Sequence, residues 1–159
     1  MTVERQIRVL FLCTGNLCRS PMAEGMLRAR SVDAGLGDVV LVDSAGMHAE
    51  LGRPPEPLAI EVAVDYGADI SGLLSRPFKQ EDYDRFDHFI AMDLGHLDFL
   101  HATCPQNSTV DIRLLLDDVG DIKKLEVPDP YQQDQNTYEF CARLINVGID
   151  HLVKRIFPS

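Results

Sequence analysis

Long apolar runs are missing from this sequence, and so is the cysteine spacing of an exported protein. No stretch approaches the roughly 18 consecutive apolar residues that cross a membrane, and no apolar segment precedes the first strand pattern as a signal peptide would. Of the 4 cysteines, Cys13 and Cys18 share one short segment, whereas Cys104 and Cys141 stand apart. This spacing does not predict a disulfide framework, so we expect a protein of the reducing cytoplasm without membrane insertion.

Basic residues are also scarce. The sequence has 15 Lys and Arg against 25 Asp and Glu, which gives a formal net charge of −10. A nucleic-acid-binding surface needs clustered positive side chains that displace counterions from phosphates, and the sequence shows no such cluster. We therefore expect no nucleic-acid partner, and any phosphate group must bind in a pocket that is locally positive.

Short apolar runs alternate with helical patterns along the chain. β-Branched and apolar residues predict strands at 7–12, 39–42, 86–92 and 110–115. Helical periodicity predicts helices at 20–34, between the proline-rich loop 53–57 and Gly67, at 94–101 and at 135–156. This alternation is typical of an α/β fold, a three-layer sandwich with a central, mostly parallel four-stranded sheet and helices on both faces. Without a linker or an internal repeat, residues 1–159 are expected to form a single domain.

One loop joins the first strand to the first helix and contains residues suited to binding an anion. In open α/β sheets, ligands bind beyond the carboxyl ends of the strands, where loop amides and a helix N-terminus meet. Arg19 can present its planar guanidinium to two phosphate oxygens. Gly15 suits a positive φ or a close approach to the ligand, and Asn16 tolerates left-handed backbone geometry. The candidate phosphate-binding residues are Thr14, Gly15, Asn16, Leu17, Cys18, Arg19 and Ser20.

Cys13 is the candidate nucleophile of this loop. The positive surroundings favour its thiolate form, and Ser20 can donate a hydrogen bond to the sulfur. The alternative is that Cys13 is a buried apolar residue and Arg19 an exposed helix residue, since a bare Cys-x5-Arg pattern is weak. The preceding strand and the Ser20-Pro21 helix start favour catalysis. A dinucleotide or Walker-type loop is excluded, because neither G-x-G-x-x-G nor G-K-[ST] is present here.

Several segments together resemble a known family. Cys-Thr-Gly-Asn-Leu-Cys-Arg-Ser-Pro-Met-Ala-Glu at 13–24 is similar to the phosphate-binding loop and first helix of low-molecular-weight protein tyrosine phosphatases. Ser-Ala-Gly at 44–46, Ala-Met-Asp at 91–93 and Val-Pro-Asp-Pro-Tyr at 127–131 follow in the expected order, so the resemblance covers essentially the whole chain. It implies a two-step hydrolysis through a phosphocysteine on Cys13, without metal or cofactor.

Asp129 is the candidate general acid. It lies between two prolines, and the family carries its acid in an Asp-Pro of this kind. Taken alone, Asp129 is better interpreted as a turn aspartate before Pro130, and the resemblance is what favours the catalytic role. Asp111, Asp117 and Asp118 are interpreted as solvated or capping carboxylates.

The resemblance also suggests roles for residues around the loop. Cys18 is either a small buried residue or the partner of Cys13 in a reversible, protective disulfide. Ser44 is expected to brace Asn16, although a turn serine at a strand end fits almost as well. Leu73 stands where many relatives have a histidine that orders the loop, which leaves that bracing unexplained. Cys104 and Cys141 are interpreted as structural.

Substrate selection is expected at the rim of the site, from Leu17, Met47, Leu51 and Tyr131. Tyr131 can stack on an aromatic ring, or it can be a half-exposed structural residue. Relatives that act on phosphoarginine carry threonine where Leu17 stands, so Leu17 favours phosphotyrosine. The segment 47–52 has no aromatic residue and Gln132 follows Tyr131, as in bacterial members paired with autophosphorylating tyrosine kinases. The expected partner is a phosphotyrosine protein; we expect a monomer, with weak self-association as the open alternative.

Two other functions compete with this interpretation. Thioredoxin-linked arsenate reductases share the fold and loop but need a relay of two further cysteines near the third strand. Met92-Asp93 occupies the first of those places and only Cys104 remains. A phosphate-binding regulatory module without turnover is disfavoured by the presence of Cys13, Arg19 and Asp129 together.

Overall fold

The strand that leads into the Cys13 loop lies inside the sheet, with a neighbour on each side. The computed structural model describes residues 5–117, 119 and 126–159. The strands are β1 (Ile7–Cys13), β2 (Val40–Gly46), β3 (His88–Ala91) and β4 (Asp111–Leu114). The helices are α1 (Arg19–Asp33), α2 (Pro57–Val64), the short α3 (Asp82–Arg85), α4 (Leu94–Thr103) and α5 (Gln135–Ile156).

The order of these strands in the sheet is β2-β1-β3-β4. Every strand pair within the described residues is parallel, so the expected "mostly parallel" sheet is fully parallel there. In this register Cys13 lies opposite Gly46, and Leu12 lies opposite Ala91. The carboxyl ends of three strands therefore meet at one edge, where a ligand site is expected.

Alternation along β1 sends side chains to two separate cores. Val9 and Phe11 pack with residues of α1, α2 and α5 on one face of the sheet. Leu10 and Leu12 pack with residues of α3 and α4 on the other face. Because β1 is buried on both faces, its sequence is a continuous apolar run. The predicted three-layer sandwich with helices on both faces is confirmed.

The second strand is longer than its sequence pattern predicts. We expected it to end at Val42, but β2 continues through Ser44 and Ala45 to Gly46. The last three residues are short and lack the β-branched character of a typical strand, but they pair with Phe11, Leu12 and Cys13 of β1. This extension brings Ser44 and Gly46 beside the Cys13 loop.

Candidate active site

A cavity of about 230 Å³ opens at the carboxyl end of β1. Its lining residues come from the loop after β1, from the segment before α2 and from the segment before α5. They are Cys13, Thr14, Gly15, Leu17, Cys18, Arg19, Arg53, Asp129 and Tyr131. A larger cavity of about 390 Å³ is lined by Arg5, Asp87, His88 and Asp111 among others, but no cysteine lines it. The smaller cavity therefore unites the predicted nucleophile, cation and carboxylate.

Cys13 is the last residue of β1, and its side chain is buried within the loop that follows. Its Sγ lies 2.9 Å from Ser20 Oγ and accepts a hydrogen bond from the Asn16 amide at 3.3 Å. Asn16 Nδ2 already donates to Ser20 Oγ at 2.8 Å, which leaves the Ser20 hydrogen to point toward the sulfur. Two donors thus converge on Cys13 Sγ.

The tight turn of the loop is at Asn16 rather than at Gly15. Asn16 has φ 57°, whereas Gly15 is not among the residues with positive φ. Of the two reasons for a glycine at position 15, a positive φ is therefore excluded, and a close approach of the backbone to the ligand remains. The Asn16 side chain donates to Ser44 Oγ at 2.9 Å and accepts the Arg76 amide at 3.0 Å. Asparagine tolerates the left-handed backbone better than most residues, and these two contacts with residues distant in sequence hold it there. Asn16 is therefore braced on both sides.

A buried carboxylate completes this brace. Ser44 Oγ donates to Glu24 Oε1 at 2.6 Å, and Glu24 lies almost fully buried in α1. Burial raises the pKa of Glu24, although the hydrogen bonds from Ser44 and Arg28 oppose that shift. Leu73 is partly buried against the apolar core. The bracing that the sequence left unexplained thus comes from Glu24, Ser44 and the Arg76 backbone.

Arg19 is buried, and its contacts come from three separate segments. Its Nη1 donates to Asp93 Oδ2 at 2.9 Å and to the Val127 carbonyl at 3.0 Å, and its Nη2 lies 3.7 Å from Asp129 Oδ2. Burial alone would raise the pKa of Asp93, but hydrogen bonds from the His96 amide and Arg19 outweigh it and lower that pKa. The ionised Asp93 holds the guanidinium beside the cavity.

Asp129 lies in the segment between Glu126 and Asp134, within which no residue belongs to a helix or strand. Its side chain is 54% exposed, and Oδ1 accepts the Tyr131 amide at 3.1 Å. The preceding carbonyl, of Pro128, accepts a hydrogen bond from the buried thiol of Cys141 at 3.1 Å. A carboxyl group with access to solvent therefore overhangs the cavity from an anchored segment.

Cys18 lines the cavity and also contacts the last helix. Its Sγ lies 3.4 Å from the hydroxyl of Tyr138 on α5. Burial raises the pKa of the Cys18 thiol to about 12, against the opposing hydrogen bond of Tyr138. In the described structure none of the four cysteines forms a disulfide.

The chain is similar to known proteins in sequence and in fold. Residues 8–157 match the model of the family described as low molecular weight phosphotyrosine protein phosphatase. The chain belongs to this family. It is 37% identical over 151 residues to the low molecular weight protein-tyrosine-phosphatase YfkJ of Bacillus subtilis, covering 94% of this chain and 96% of that protein. The crystal structure of YfkJ superposes with a TM-score of 0.88 at 36% identity, covering 98% and 97% of the two chains.

The chain is also similar to two other proteins. A low molecular weight protein-tyrosine-phosphatase of Streptomyces coelicolor is 38% identical over 155 residues, covering 94% of this chain and 93% of that one. The structure of the YwlE arginine phosphatase of Geobacillus stearothermophilus is 29% identical with a TM-score of 0.81, covering 94% and 92%. The chain is therefore a hydrolase of the protein-tyrosine-phosphatase class, and the arsenate-reductase alternative is not favoured.

The rim of this phosphatase cavity differs in part from the predicted one. Leu17 and Tyr131 line it, but Met47 and Leu51 are absent from its lining. The Met47 amide donates a hydrogen bond to the Cys13 carbonyl. Leu51 lies in a turn and is 81% exposed. Arg53 lines the cavity instead. It was missed because its charge within a proline-rich loop gave no sign of its position.

His96 was also missed by sequence reasoning. It is buried in the first turn of α4, and its Nε2 lies 2.8 Å from Thr14 Oγ1. The neighbouring Ala-Met-Asp motif at 91–93 was the available signal, since a side chain one turn after a strand-end aspartate faces the same edge. Of the other carboxylates, Asp111 pairs with His88 and Asp117 accepts the Leu114 amide, while Asp118 lies outside the described residues.

Within the described residues, no group of histidine, cysteine and carboxylate side chains is arranged to hold a metal ion. The same residues include no helix that is both long and apolar enough to cross a bilayer.

Proposed function

We propose that this phosphatase hydrolyses phosphotyrosine in proteins through a phosphocysteine on Cys13, with Arg19 and the loop amides binding phosphate and Asp129 as general acid and base. The observation that carries the proposal is the convergence of Ser20 Oγ and the Asn16 amide on Cys13 Sγ. Both donors stabilise a thiolate, the form of cysteine that attacks phosphorus.

The first step forms a bond from sulfur to phosphorus and breaks the bond from phosphorus to the tyrosyl oxygen. Asp129 gives its proton to that departing oxygen. Arg19 and the amides at 14–20 neutralise charge on the three remaining phosphoryl oxygens. The buried Arg19, held by Asp93 at 2.9 Å, is already oriented and needs little rearrangement.

The second step releases phosphate and restores the thiolate. Water attacks phosphorus, the bond from sulfur to phosphorus breaks, and the Asp129 carboxylate takes the proton that water loses. The exposure of the Asp129 side chain supports this double role, because both water and the leaving group can reach it. No metal or cofactor takes part in these steps.

Tyr131 and Leu17 support a substrate with an aromatic ring. Tyr131 is half-exposed at the cavity, where it can stack on the tyrosyl ring, and Leu17 offers an apolar contact. The similarity to an arginine phosphatase makes phosphoarginine the substrate to test against. We propose that the physiological substrate is a bacterial tyrosine autokinase and that the single-domain protein works in the cytoplasm, where Cys13 and Cys18 stay reduced.

Hydrolysis of p-nitrophenyl phosphate without added metal, inhibited by vanadate, tests the activity. Cys13→Ser should abolish turnover, whereas Cys104→Ser, outside the cavity, should retain it. Full activity of Cys13→Ser would refute the mechanism. A panel of phosphotyrosine, phosphoserine and phosphoarginine peptides then tests the substrate class. Faster release of phosphate from the phosphoarginine peptide would make phosphoarginine, and not phosphotyrosine, the preferred substrate.

A further inference from the structure

One turn of α4 contacts both ends of the phosphate-binding loop. Asp93, the residue that caps α4, binds Arg19 at the far end of the loop through Oδ2. His96, three residues later, contacts Thr14 at the near end through Nε2. The same Asp93 carboxylate accepts the His96 amide at 3.0 Å, so the two contacts form one connected unit.

The imidazole of His96 is neutral and enclosed. Its exposed fraction is 1%. Burial lowers the pKa of His96 to about 4, although the Asp93 charge acts in the opposite direction. The ring therefore carries one proton at neutral pH, on either Nδ1 or Nε2, and its position decides which hydrogen bonds His96 can make.

The surroundings of Nδ1 identify the protonated nitrogen. Nδ1 lies 3.0 Å from Asp93 Oδ1, although no aligned hydrogen bond joins them. At this distance an unprotonated Nδ1, with its partial negative charge, is repelled by the carboxylate oxygen, whereas a protonated Nδ1 is attracted to it. The proton therefore belongs on Nδ1. Nε2 is then an acceptor, and the Thr14 hydroxyl donates to it.

Thr14 is fixed by this contact and by one other. Its carbonyl accepts the His48 amide at 2.8 Å on the side of β2. With the hydroxyl held by His96 and the carbonyl held by His48, the backbone at Thr14 and Gly15 has little freedom to rotate. Those two residues line the cavity directly after Cys13.

We propose that His96 is a positioning residue for phosphoryl transfer, which accepts the Thr14 hydroxyl at Nε2 and, with Asp93, fixes both ends of the phosphate-binding loop. It touches neither the nucleophile nor the phosphoryl group and acts through Thr14. The inference rests on the proposed function of the same loop. His96, which lies outside the loop, thus determines how well the loop amides and Arg19 converge on phosphate.

Two substitutions at position 96 separate this role from simple packing. His96→Leu fills the space but accepts no hydrogen bond, and we expect kcat/KM and the affinity for inorganic phosphate to fall about fivefold each. His96→Gln places an amide oxygen within reach of Thr14 and should restore both to within about twofold of wild type. His101→Leu, exposed on the same helix, is the matched control. Wild-type phosphate affinity and kcat/KM in a folded His96→Leu protein would overturn the proposal.

A double-mutant cycle tests whether His96 acts through Thr14. Thr14→Val removes the hydroxyl that His96 accepts. The double variant should therefore lose little more phosphate affinity than Thr14→Val alone. Additive losses of phosphate affinity would overturn the proposed route.

The tautomer is measurable in the wild-type protein, which avoids any variant that fails to fold. Nitrogen-15 NMR of the imidazole ring should show Nδ1 protonated and Nε2 unprotonated, with the Nε2 signal shifting when inorganic phosphate saturates the site. A proton on Nε2, or an unchanged signal, would contradict the proposal. Failure of wild-type protein to hydrolyse p-nitrophenyl phosphate would instead refute the proposed function, so the two failures are distinguishable.

Discussion

A β-carbon on residue 46 would lie 2.7 Å from the carbonyl oxygen of Thr14, so Gly46 allows the loop after Cys13 to pass directly over the end of β2. The same β-carbon would lie 3.0 Å from the Asn16 amide nitrogen. Both neighbours are backbone atoms of the loop, which cannot move aside as a flexible side chain would. The glycine of the Ser-Ala-Gly segment thus determines how close the loop lies to the sheet.

Gly46→Ala should therefore displace the loop and lower kcat/KM. A displacement near 1 Å at a catalytic centre costs about 100-fold in rate, and we expect a loss of that order. Steady-state hydrolysis of p-nitrophenyl phosphate measures it. Gly37→Ala is the control, because its nearest neighbour would be the Val32 side chain at 3.4 Å. A folded Gly46→Ala protein with wild-type kcat/KM would show that the loop tolerates the displacement.

Asp129→Asn should lower kcat by about 100-fold to 10,000-fold, the usual contribution of a general acid. Inhibition by inorganic phosphate should change little, since Arg19 and the amides remain. The loss of kcat/KM, which reports the first step alone, should be larger for phenyl phosphate than for p-nitrophenyl phosphate, because phenolate is the more basic leaving group. Asp98→Asn, exposed on α4, is the control. Equal losses with the two substrates would argue against proton donation by Asp129.

Ser44→Ala should weaken both the loop and the fold. The variant loses the hydrogen bonds to Asn16 and Glu24 and leaves a buried carboxylate without one donor, which costs about 1–3 kcal/mol in the free energy of unfolding. Urea titration measures this loss, and kcat/KM should fall with it. Ser71→Ala, on the surface, should change the unfolding free energy much less. Equal stability of the two variants would show that the brace does not stabilise the fold.

The parts of the site that are continuous in sequence were predictable, and those that depend on tertiary contact were not. Cys13, Ser20 and Arg19 belong to one strand-loop-helix segment, so local patterns placed them together. Arg53 and His96 come from segments distant in sequence. Arg53 has no local pattern that indicates a site, and the signal for His96 was indirect, through the neighbouring Ala-Met-Asp motif at 91–93.

Backbone details were equally difficult to predict. Glycine is the usual residue at positive φ, yet the loop uses Asn16 because its side chain has three partners that a glycine would lack. β2 runs past its β-branched residues because pairing with β1, rather than intrinsic propensity, decides where it ends.

His96 should make the stability of the protein depend on pH between about 6.5 and about 4. Its pKa is lowered from 6.5 to about 4 by burial, so in this range the unfolded chain binds a proton that the folded protein does not. The free energy of unfolding therefore falls as pH drops, by about 3 kcal/mol in all. The lowered pKa of Asp93 adds a loss at still lower pH.

His96→Gln lacks the titrating ring and should show a smaller decrease in unfolding free energy between pH 7 and pH 4. Urea titrations of both proteins at several pH values measure the difference. Parallel curves for the two proteins would mean that His96 keeps its ordinary pKa in the folded protein.

Arg53 should favour substrates with acidic residues beside the phosphotyrosine. Its side chain is 44% exposed at the cavity, and its Nη2 lies 3.9 Å from Glu56 Oε1, a distance that leaves the guanidinium accessible to a substrate carboxylate. Arg53→Gln should raise KM about threefold for an acidic phosphopeptide, since exposed ion pairs contribute little. KM for a neutral phosphopeptide should rise less. Equal rises in KM for the two peptides would show that Arg53 does not select acidic substrates.

The pairing of β1 on both sides has a consequence for how activity is lost on unfolding. Cys13 ends a strand that is hydrogen-bonded to β2 and β3, so its amide should exchange with solvent only when most of the molecule opens. Asp129 lies outside any helix or strand, where smaller openings suffice. In mild denaturant the protein should therefore pass through a state that still binds phosphate firmly but protonates the leaving group poorly, so turnover disappears before affinity does.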